Sequence, residues 1–416
     1  MGVIVEPARE VPVVAETDVL VCGGGVAGVA AAVAAARRGA KVLLLERYGF
    51  LGGLATGALV ITTPPLDNGL NREIEQKLKA QYVYALCEHS GEEIELNALD
   101  PEILKYELLR LLQGAGVEFL LHVYIARALV ENGTVRGVVM ETKAGRQAVL
   151  AKAVVDATGD ADVAASAGAA FRLVKKPMTM MFNMVGVNVP RALGFLGNWG
   201  RIREVVKQAI EARKLEFDLG IFRNFGAPGV SLEKLVYPDE LNVWSGNLLD
   251  MDGTDPKDLT RAEVVTREHA IRLARFLRAA VPGFEHSRIE YTATQVGVRA
   301  TRQVVGEVVP KAEDLRTRTL PGVVAKPYRK AELRIPYGSI LPRTVENLLV
   351  AGRCISAAEE AMGQLRLIPV CLATGQAAGA AAALALEHGV APRRVPAKAV
   401  QSALQAQGVD LGLSAG

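Results

Sequence analysis

The pattern of apolar and polar positions first becomes regular at "TDVLVCG", residues 17–23. An unbroken apolar run this short predicts a strand buried on both faces. Residues 26–38 are alanine-rich and predict a helix. It closes with Arg37 and Arg38 against its negative pole and Gly39 as a cap. "KVLLLE", residues 41–46, predicts the next strand, which completes a βαβ unit of dinucleotide-binding length. A mixed polar segment covers 64–98. Then "DPEILKYELLRLLQGAG" carries apolar residues at helical spacing, with Asp100 as N-cap and Pro101 at the first helical position. "VEFLLHVYIARALV", "TVRGVVMET" and "RQAVLAKAVVDATGD" read as strands joined at "ENGT" and "KAGR", both hairpin signals. They predict a small antiparallel meander packed on the dinucleotide sheet.

From about residue 171 to 334 the texture changes. "MTMMFNMVGVNV" alternates as a half-buried strand does, and "TRAEVVTREHAIRLARFLRAAVPG" predicts a helix opened by a capping box, Thr260 and Glu263. Proline and tryptophan fall in the loops. From "LRIPYGSILP" the first texture returns, with a strand at "NLLVAG", 347–352, and an Ala/Gly helix in "LIPVCLATGQAAGAAAALAL", 367–386. The fold class expected is α/β: a Rossmann-like domain of parallel sheet plus antiparallel β-meander over 1–170 and 335–416, with an inserted α+β substrate or cap domain over 171–334.

Composition removes several classes. The 416 residues carry a formal net charge of +3, with no basic block, which gives no case for nucleic acid or an anionic membrane surface. The N-terminus has acids early and no basic-then-apolar leader, and Glu6 stands where a myristoylation motif needs Ser or Thr. The Ala/Gly run is long enough for a membrane span, yet Pro369, Thr374 and Gln376 within it argue for an interior helix. Cys22, Cys87, Cys354 and Cys371 form no CxxC pair, so no metal or iron–sulfur spacing is present, and sparse thiols fit a cytoplasmic location.

The chemistry starts at Gly23-x-Gly25-x-x-Gly28, set between strand and helix. The first glycine permits the tight turn, the second lets backbone approach a pyrophosphate, and the third lets helix and strand pack closely. The helix N-terminus then points free N–H groups at the phosphates. Glu46 ends the second strand, where a carboxylate accepts ribose hydroxyls and repels a 2′-phosphate, which argues against NADP. The turn alone does not separate NAD from FAD. "RYGFLGGLATGAL" (47–59), "AVVDATGD" with Asp160, and "NLLVAGRCISA" are further glycine turns that would feed the same site and favour an extended cofactor such as FAD.

Together, "DVLVCGGGVAG…LLLERYGFLGG", "VVDATGD" and "ENLLVAGRCIS…RLIPVCLATGQAAGAAAA" resemble the FAD-dependent oxidoreductases with the glutathione-reductase-type FAD fold, in the fumarate reductase and succinate dehydrogenase flavoprotein subgroup. That resemblance covers about 1–170 and 335–390 with specific motifs and the middle weakly. It implies that Gly23, Gly25, Val26, Ala27 and Gly28 meet the pyrophosphate, with Glu46 on the adenosine ribose and Arg47 beside it. Gly52, Gly53 and Thr56 would lie along the pyrophosphate and ribityl chain, and the backbone of Ile125 would face the adenine. Ala157, Thr158 and Gly159 would line the adenosine side with Asp160 nearby. Gly352 and Arg353 would lie by the ribityl and phosphate groups; Arg353 stands where many relatives carry an acid. Pro369 suits the first turn of the last helix, so the N–H groups of Val370 and Cys371 would face the charge of reduced flavin. "FLGGLATGAL" has no His, so the FAD would be non-covalent.

Three arginines are candidates for substrate. Arg299 and Arg302 sit at spacing three in "GVRATR", on one face if that segment is helical. Arg366 precedes the last helix and resembles the arginines that position a dicarboxylate in the fumarate reductase group. Glu359 and Glu360 lie in the loop before it, and the five histidines stand in no catalytic pattern. No second strand–GxGxxG–helix follows, so a dedicated NAD(P)H domain is not expected. The reading is an FAD enzyme that moves a hydride between flavin N5 and a small, anionic organic substrate. An electron-transfer subunit and an NAD-dependent dehydrogenase are the alternatives. Oxygen, a quinone or a protein as electron partner, and a homo-oligomeric state, stay open.

Overall fold

A computed structural model describes residues 2–90, 95–216, 229–317 and 320–413. The chain opens with β1 (Val13–Cys22), α1 (Val26–Ala36) and β2 (Val42–Leu45). α2 (Pro101–Gly114) starts where Asp100 accepts from the N–H groups of Glu102 and Ile103. β3 (Glu118–Leu120), β4 (Tyr124–Glu131), β5 (Thr134–Thr142) and β6 (Gly145–Asp156) follow. The chain then leaves for β7 (Met181–Val185), β8 (Val230–Lys234), β9 (Leu241–Ser245), α3 (Pro256–Ala280) and β10 (Arg288–Thr292). It returns with β11 (Leu348–Val350) and α4 (Ile368–His388).

The main sheet runs β3-β2-β1-β6-β5-β4, with β11 also on β6. The pairs β3–β2, β2–β1, β1–β6 and β6–β11 are parallel, and β4–β5 and β5–β6 are antiparallel. Two expectations change here. The meander does not pack on the parallel sheet: it is the same sheet, because β6 pairs with β5 through Gly145–Leu150 and with β11 through Val154–Asp156. The stretch 117–130 is also two strands. β3 joins the far edge beside β2, and the chain turns through His122, at φ 61°, before β4 begins. The hairpin at Asn132-Gly133 has φ of 50° and 75°, the left-handed pair of a type I′ turn.

α4 is buried along nearly its whole length against α1. A Cβ on Gly375 would sit 2.0 Å from the Ala27 carbonyl oxygen, and one on Gly379 would sit 2.0 Å from that of Ala31. Glycine one turn apart is therefore what lets the two backbones touch. Among the described residues α4 is the one helix long and apolar enough to cross a membrane, and its apolar stretch lies wholly inside the protein.

The second sheet, β8-β9-β7-β10, is antiparallel and has its own core with α3. That core draws on residues up to Val298, whereas Ala300, Val304, Leu315, Val324 and Leu333 pack into the first core. The packing therefore changes hands near 298, well before the expected boundary at 334. α3 begins earlier than the Thr260–Glu263 box. Asp255 caps it ahead of Pro256, Thr260 bonds back to the Pro256 carbonyl inside the first turn, and Glu263 instead holds Arg267 and the N–H of Val296. An Asp-Pro start satisfies the end of the helix one turn sooner. The tryptophans are in structured elements as well: Trp244 sits in β9 and Trp199 opens a 3₁₀ turn.

Candidate functional site

The carboxyl ends of β1, β6 and β11 open onto a cleft of about 1060 Å³, counting its open mouth, whose opposite wall is the second sheet. A topological switch point of this kind is where open α/β sheets bind ligands. Its floor is backbone. Gly23, at φ 104°, passes so near Ala157 that a Cβ would meet the carbonyl oxygen at 2.5 Å. Gly25 pairs with Gly52 in a parallel bridge, and the Gly52 N–H donates to the Gly24 carbonyl at 2.9 Å. Gly53 approaches Gly25 so closely that its Cβ would lie 3.0 Å from the Gly25 Cα. Two glycine loops are thus joined edge to edge beneath Val26 and Ala27, which also line the cleft. Gly28 does not line it. A Cβ there would fall 1.8 Å from the Gly23 carbonyl oxygen, so its role is to seat α1 against β1.

Glu46 and Arg47 lie at one end. The Glu46 carboxylate is buried and accepts the Gly24 N–H at 2.5 Å and the Tyr48 N–H at 2.8 Å. Burial raises its pKa, and those two N–H groups and Arg47 oppose the rise. Each oxygen keeps a second lone pair for a further donor. Thr56 turns into its own loop, donating to the Leu51 carbonyl at 2.7 Å, and Ile125 lies in β4; neither lines the cleft.

Ala157, Thr158 and Gly159 form the middle of the wall, with Gly352 and Arg353 beside them. Asp156 holds this turn. Fully buried, it accepts from the Thr158 N–H and hydroxyl and the Ala164 N–H, and burial pushes its pKa up to about 6. Asp160 does not line the cleft. It accepts the Thr301 hydroxyl at 2.6 Å and pairs with Arg353 Nη2 at 3.1 Å. The other nitrogen, Arg353 Nη1, is buried and has no hydrogen-bond partner among the described residues. A guanidinium fixed by an acid behind it, with a buried N–H group left over beside a glycine floor, fits the pyrophosphate of a dinucleotide.

At the far end stand Arg299 and Arg366 with Thr179, Met181 and Trp244. Arg299 donates to the Pro177 carbonyl at 2.6 Å and the Thr179 hydroxyl at 2.8 Å, and lies over the Trp244 ring at 5.6 Å. Burial, and behind it the Arg366 charge, pushes its pKa down to about 9, so it stays charged at neutral pH. Arg366 is lowered by burial too, and neither arginine has a carboxylate partner among the described residues. Arg302 is elsewhere. The segment is not helical, and Arg302 starts a short strand, pairs with Asp162 at 2.8 Å and lies over Phe171. The expected N–H pair at the start of α4 is not assembled. Cys371 lines the cleft, but its N–H bonds to the Leu367 carbonyl, and Val370 does not line the cleft. Glu359 pairs with Lys176 at the surface. Tyr48, within the second glycine stretch, Gln295 and Trp244 also line the cleft and were not among the expected site residues. The Tyr48 hydroxyl donates to Gln295 and ties the two walls together.

Comparison with known proteins agrees with this geometry. A family model described as FAD dependent oxidoreductase matches residues 18–328 and 322–404. The chain is 34% identical over 193 residues to digeranylgeranylglycerophospholipid reductase 2 of Methanopyrus kandleri, covering 42% of this chain and 46% of the relative. It is 33% identical over 156 residues to the tRNA uridine 5-carboxymethylaminomethyl modification enzyme MnmG of Bacillus subtilis, covering 34% and 24%. The chain thus spans less than half the length of these curated relatives. A geranylgeranyl bacteriochlorophyll reductase-like protein of Thermoplasma acidophilum shares the fold, with a TM-score of 0.52 at 16% identity over 94% of this chain and 82% of that one. None of these three is a fumarate reductase. The family match runs through both walls of the cleft and through every glycine turn that forms its floor, and the chain belongs to the FAD dependent oxidoreductase family.

Proposed function

We propose that the enzyme moves a hydride between FAD and a small anionic organic substrate held by Arg299 and Arg366. The observation that carries this reading is the pair of half-buried guanidiniums at one end of the cleft, which have no carboxylate partner among the described residues. Charges are seldom buried unpaired, because desolvation costs several kcal/mol per ion. An anion between them relieves both the burial and the mutual repulsion. Bound FAD supplies the hydride acceptor or donor. The protein's part is to hold the substrate and exclude water. Arg299 is fixed from behind by Pro177 and Thr179, so its remaining N–H groups are aimed before substrate arrives.

The test is anaerobic bleaching of the purified holoenzyme with a panel of acids, amines and alcohols. An acid should bleach it. Removing one partner of a buried carboxylate costs on the order of 2–5 kcal/mol, so Arg299→Ala should slow that bleaching at least about thirty-fold. FAD content and bleaching by dithionite should stay near wild type. Arg302→Ala, outside the cleft, should leave the rate within about twofold. If no compound bleaches the flavin and the protein copurifies with a stoichiometric partner, the enzyme is an electron-transfer subunit instead.

A further inference from the structure

We infer that Glu233 is a positioning residue for the substrate end of the cleft: through Trp244 it sets where the Arg299 guanidinium lies. This rests on the reading that Arg299 meets an anion. Its starting point is sheet geometry. In the second sheet Trp244 pairs with Ser231, and Glu233 lies two residues further along the same strand. Residues two apart on a strand share a face, and diagonal cross-strand neighbours are within reach of aromatic and long side chains. Glu233 and Trp244 therefore share the face that Trp244 and Met181 present to the cleft.

The Glu233 carboxyl is buried and accepts the Thr62 hydroxyl at 2.9 Å. Thr62 belongs to the segment after Val60, which lines the cleft from the opposite wall. The Trp244 indole N–H is buried and reaches no acceptor at full hydrogen-bond geometry, and the group it faces is this carboxyl. One carboxyl thus stands between the wall that carries FAD and the ring under Arg299. An ionised carboxylate accepts from both donors at once; a neutral acid must give one oxygen to its own proton. The indole is held more firmly in the ionised state. Burial pushes the Glu233 pKa up to about 7, with Thr62 and Trp244 opposing, so the change falls at neutral pH.

Other groups face Glu233. Lys234 is its neighbour on the strand, and Cys87, Glu88 and His89 lie on the segment that bridges to it through His89. The cross-strand partner Asn242 is neutral, and its buried Oδ1 has no donor among the described residues, so it can take the proton of the neutral acid. His89 is the imidazole on that segment and faces Glu233 across the bridge, so the experiment includes it as a control.

The experiment uses the FAD-loaded enzyme with Trp199→Phe, which leaves Trp244 as the sole tryptophan. Its emission, followed from pH 5.5 to 9, should show a single step near pH 7. Glu233→Gln should abolish the step and His89→Gln should retain it. Sulfate serves as the anion probe at pH 8, read by perturbation of the flavin spectrum. Glu233→Ala should weaken sulfate binding at least about tenfold, and Glu233→Gln should stay within about threefold, because the amide oxygen still accepts from one donor. A step that survives in Glu233→Gln overturns the inference, as does wild-type sulfate affinity in a folded Glu233→Ala. If the alanine variant does not fold, the glutamine variant still decides through the step. If wild type does not bind sulfate but the step behaves as expected, the anionic-substrate reading fails while Glu233 still positions Trp244.

Discussion

Glu46 gives one lone pair of each carboxylate oxygen to a backbone N–H, from Gly24 and from Tyr48, and we propose that the others accept the hydroxyls of the adenosine ribose. Its removal therefore acts twice, by losing the ribose contact and by leaving two N–H groups of the glycine loop without an acceptor. Hydrogen bonds to a charged group contribute about 1.5–3 kcal/mol each. Glu46→Ala should weaken FAD binding by about ten- to a hundredfold or more in titrations of the apoprotein. An unchanged dissociation constant would show that the ribose is held by something else. Residues such as Gly23, Gly25 and Glu46 were legible in the sequence because their job is local, within one turn and the strand beside it. Arg299 and Arg302 were not separable, because spacing three says where side chains point only once the backbone is known. The short strand that begins at Arg302 sends that side chain to Asp162, so that of the two only Arg299 lines the cleft. Trp244 carried no signal beyond its size, and its place depends on which face of a remote sheet meets the cofactor.

At the level of elements, α1 and α4 make a close joint in the first core, and glycine makes it possible. A methyl group on Gly379 would fall 2.0 Å from the Ala31 carbonyl oxygen, a backbone atom that yields only if a helix moves. Overpacking of this kind costs about 1–3 kcal/mol or more. Gly379→Ala should lower the urea midpoint accordingly and shed FAD, since α1 carries Val26 and Ala27 at the cleft. Gly114, at the end of α2, gives the opposite sign. A Cβ there meets nothing within 4 Å and the backbone is not left-handed. Gly114→Ala should stabilise by about 0.4–1 kcal/mol, through the unfolded chain. Equal midpoints for the two variants would refute the packing argument. The Ala/Gly stripe of α4 and the Asp100-Pro101 start of α2 could be read from the sequence because each is written within a few residues. The pairing of β6 with β11 and the placing of β3 beside β2 at the far edge join residues far apart in the chain, Val154 with Leu348 and Leu43 with Glu118. No local pattern encodes them.

For the whole molecule, the second sheet must come down on the FAD wall without leaving polar groups stranded, and it does so with neutralised acids as well as ion pairs. Burial pushes the pKa of Asp156 up to about 6 and those of Glu233 and Glu240 up to about 7. For Glu240 the nearby charges of Glu290, Asp100 and Asp239 add to the burial, and the Asn183 amide at 2.7 Å opposes them. A carboxyl whose pKa is higher folded than unfolded binds its proton more tightly in the folded state. Its contribution is complete below the unfolded value near 4 and is lost as pH rises through the folded one. The acids with lowered pKa, Asp18, Asp252 and Asp410, act in the opposite sense and only below about pH 4. Between about pH 4.5 and 7 the raised acids therefore make stability fall with rising pH. Glu240→Gln tests this, because the amide oxygen still accepts from Asn183 and carries no charge to desolvate. At pH 5, where Glu240 is already neutral, the variant and wild type should unfold at nearly the same urea concentration. At pH 8 the variant should be more stable by about 1–2 kcal/mol, after discounting for the solvent that reaches the site. FAD must be saturating in both, since bound ligand adds its own stabilisation. The same difference at both pH values would mean that the substitution acts through packing, and a less stable variant at pH 8 would mean that Glu240 is held as a carboxylate.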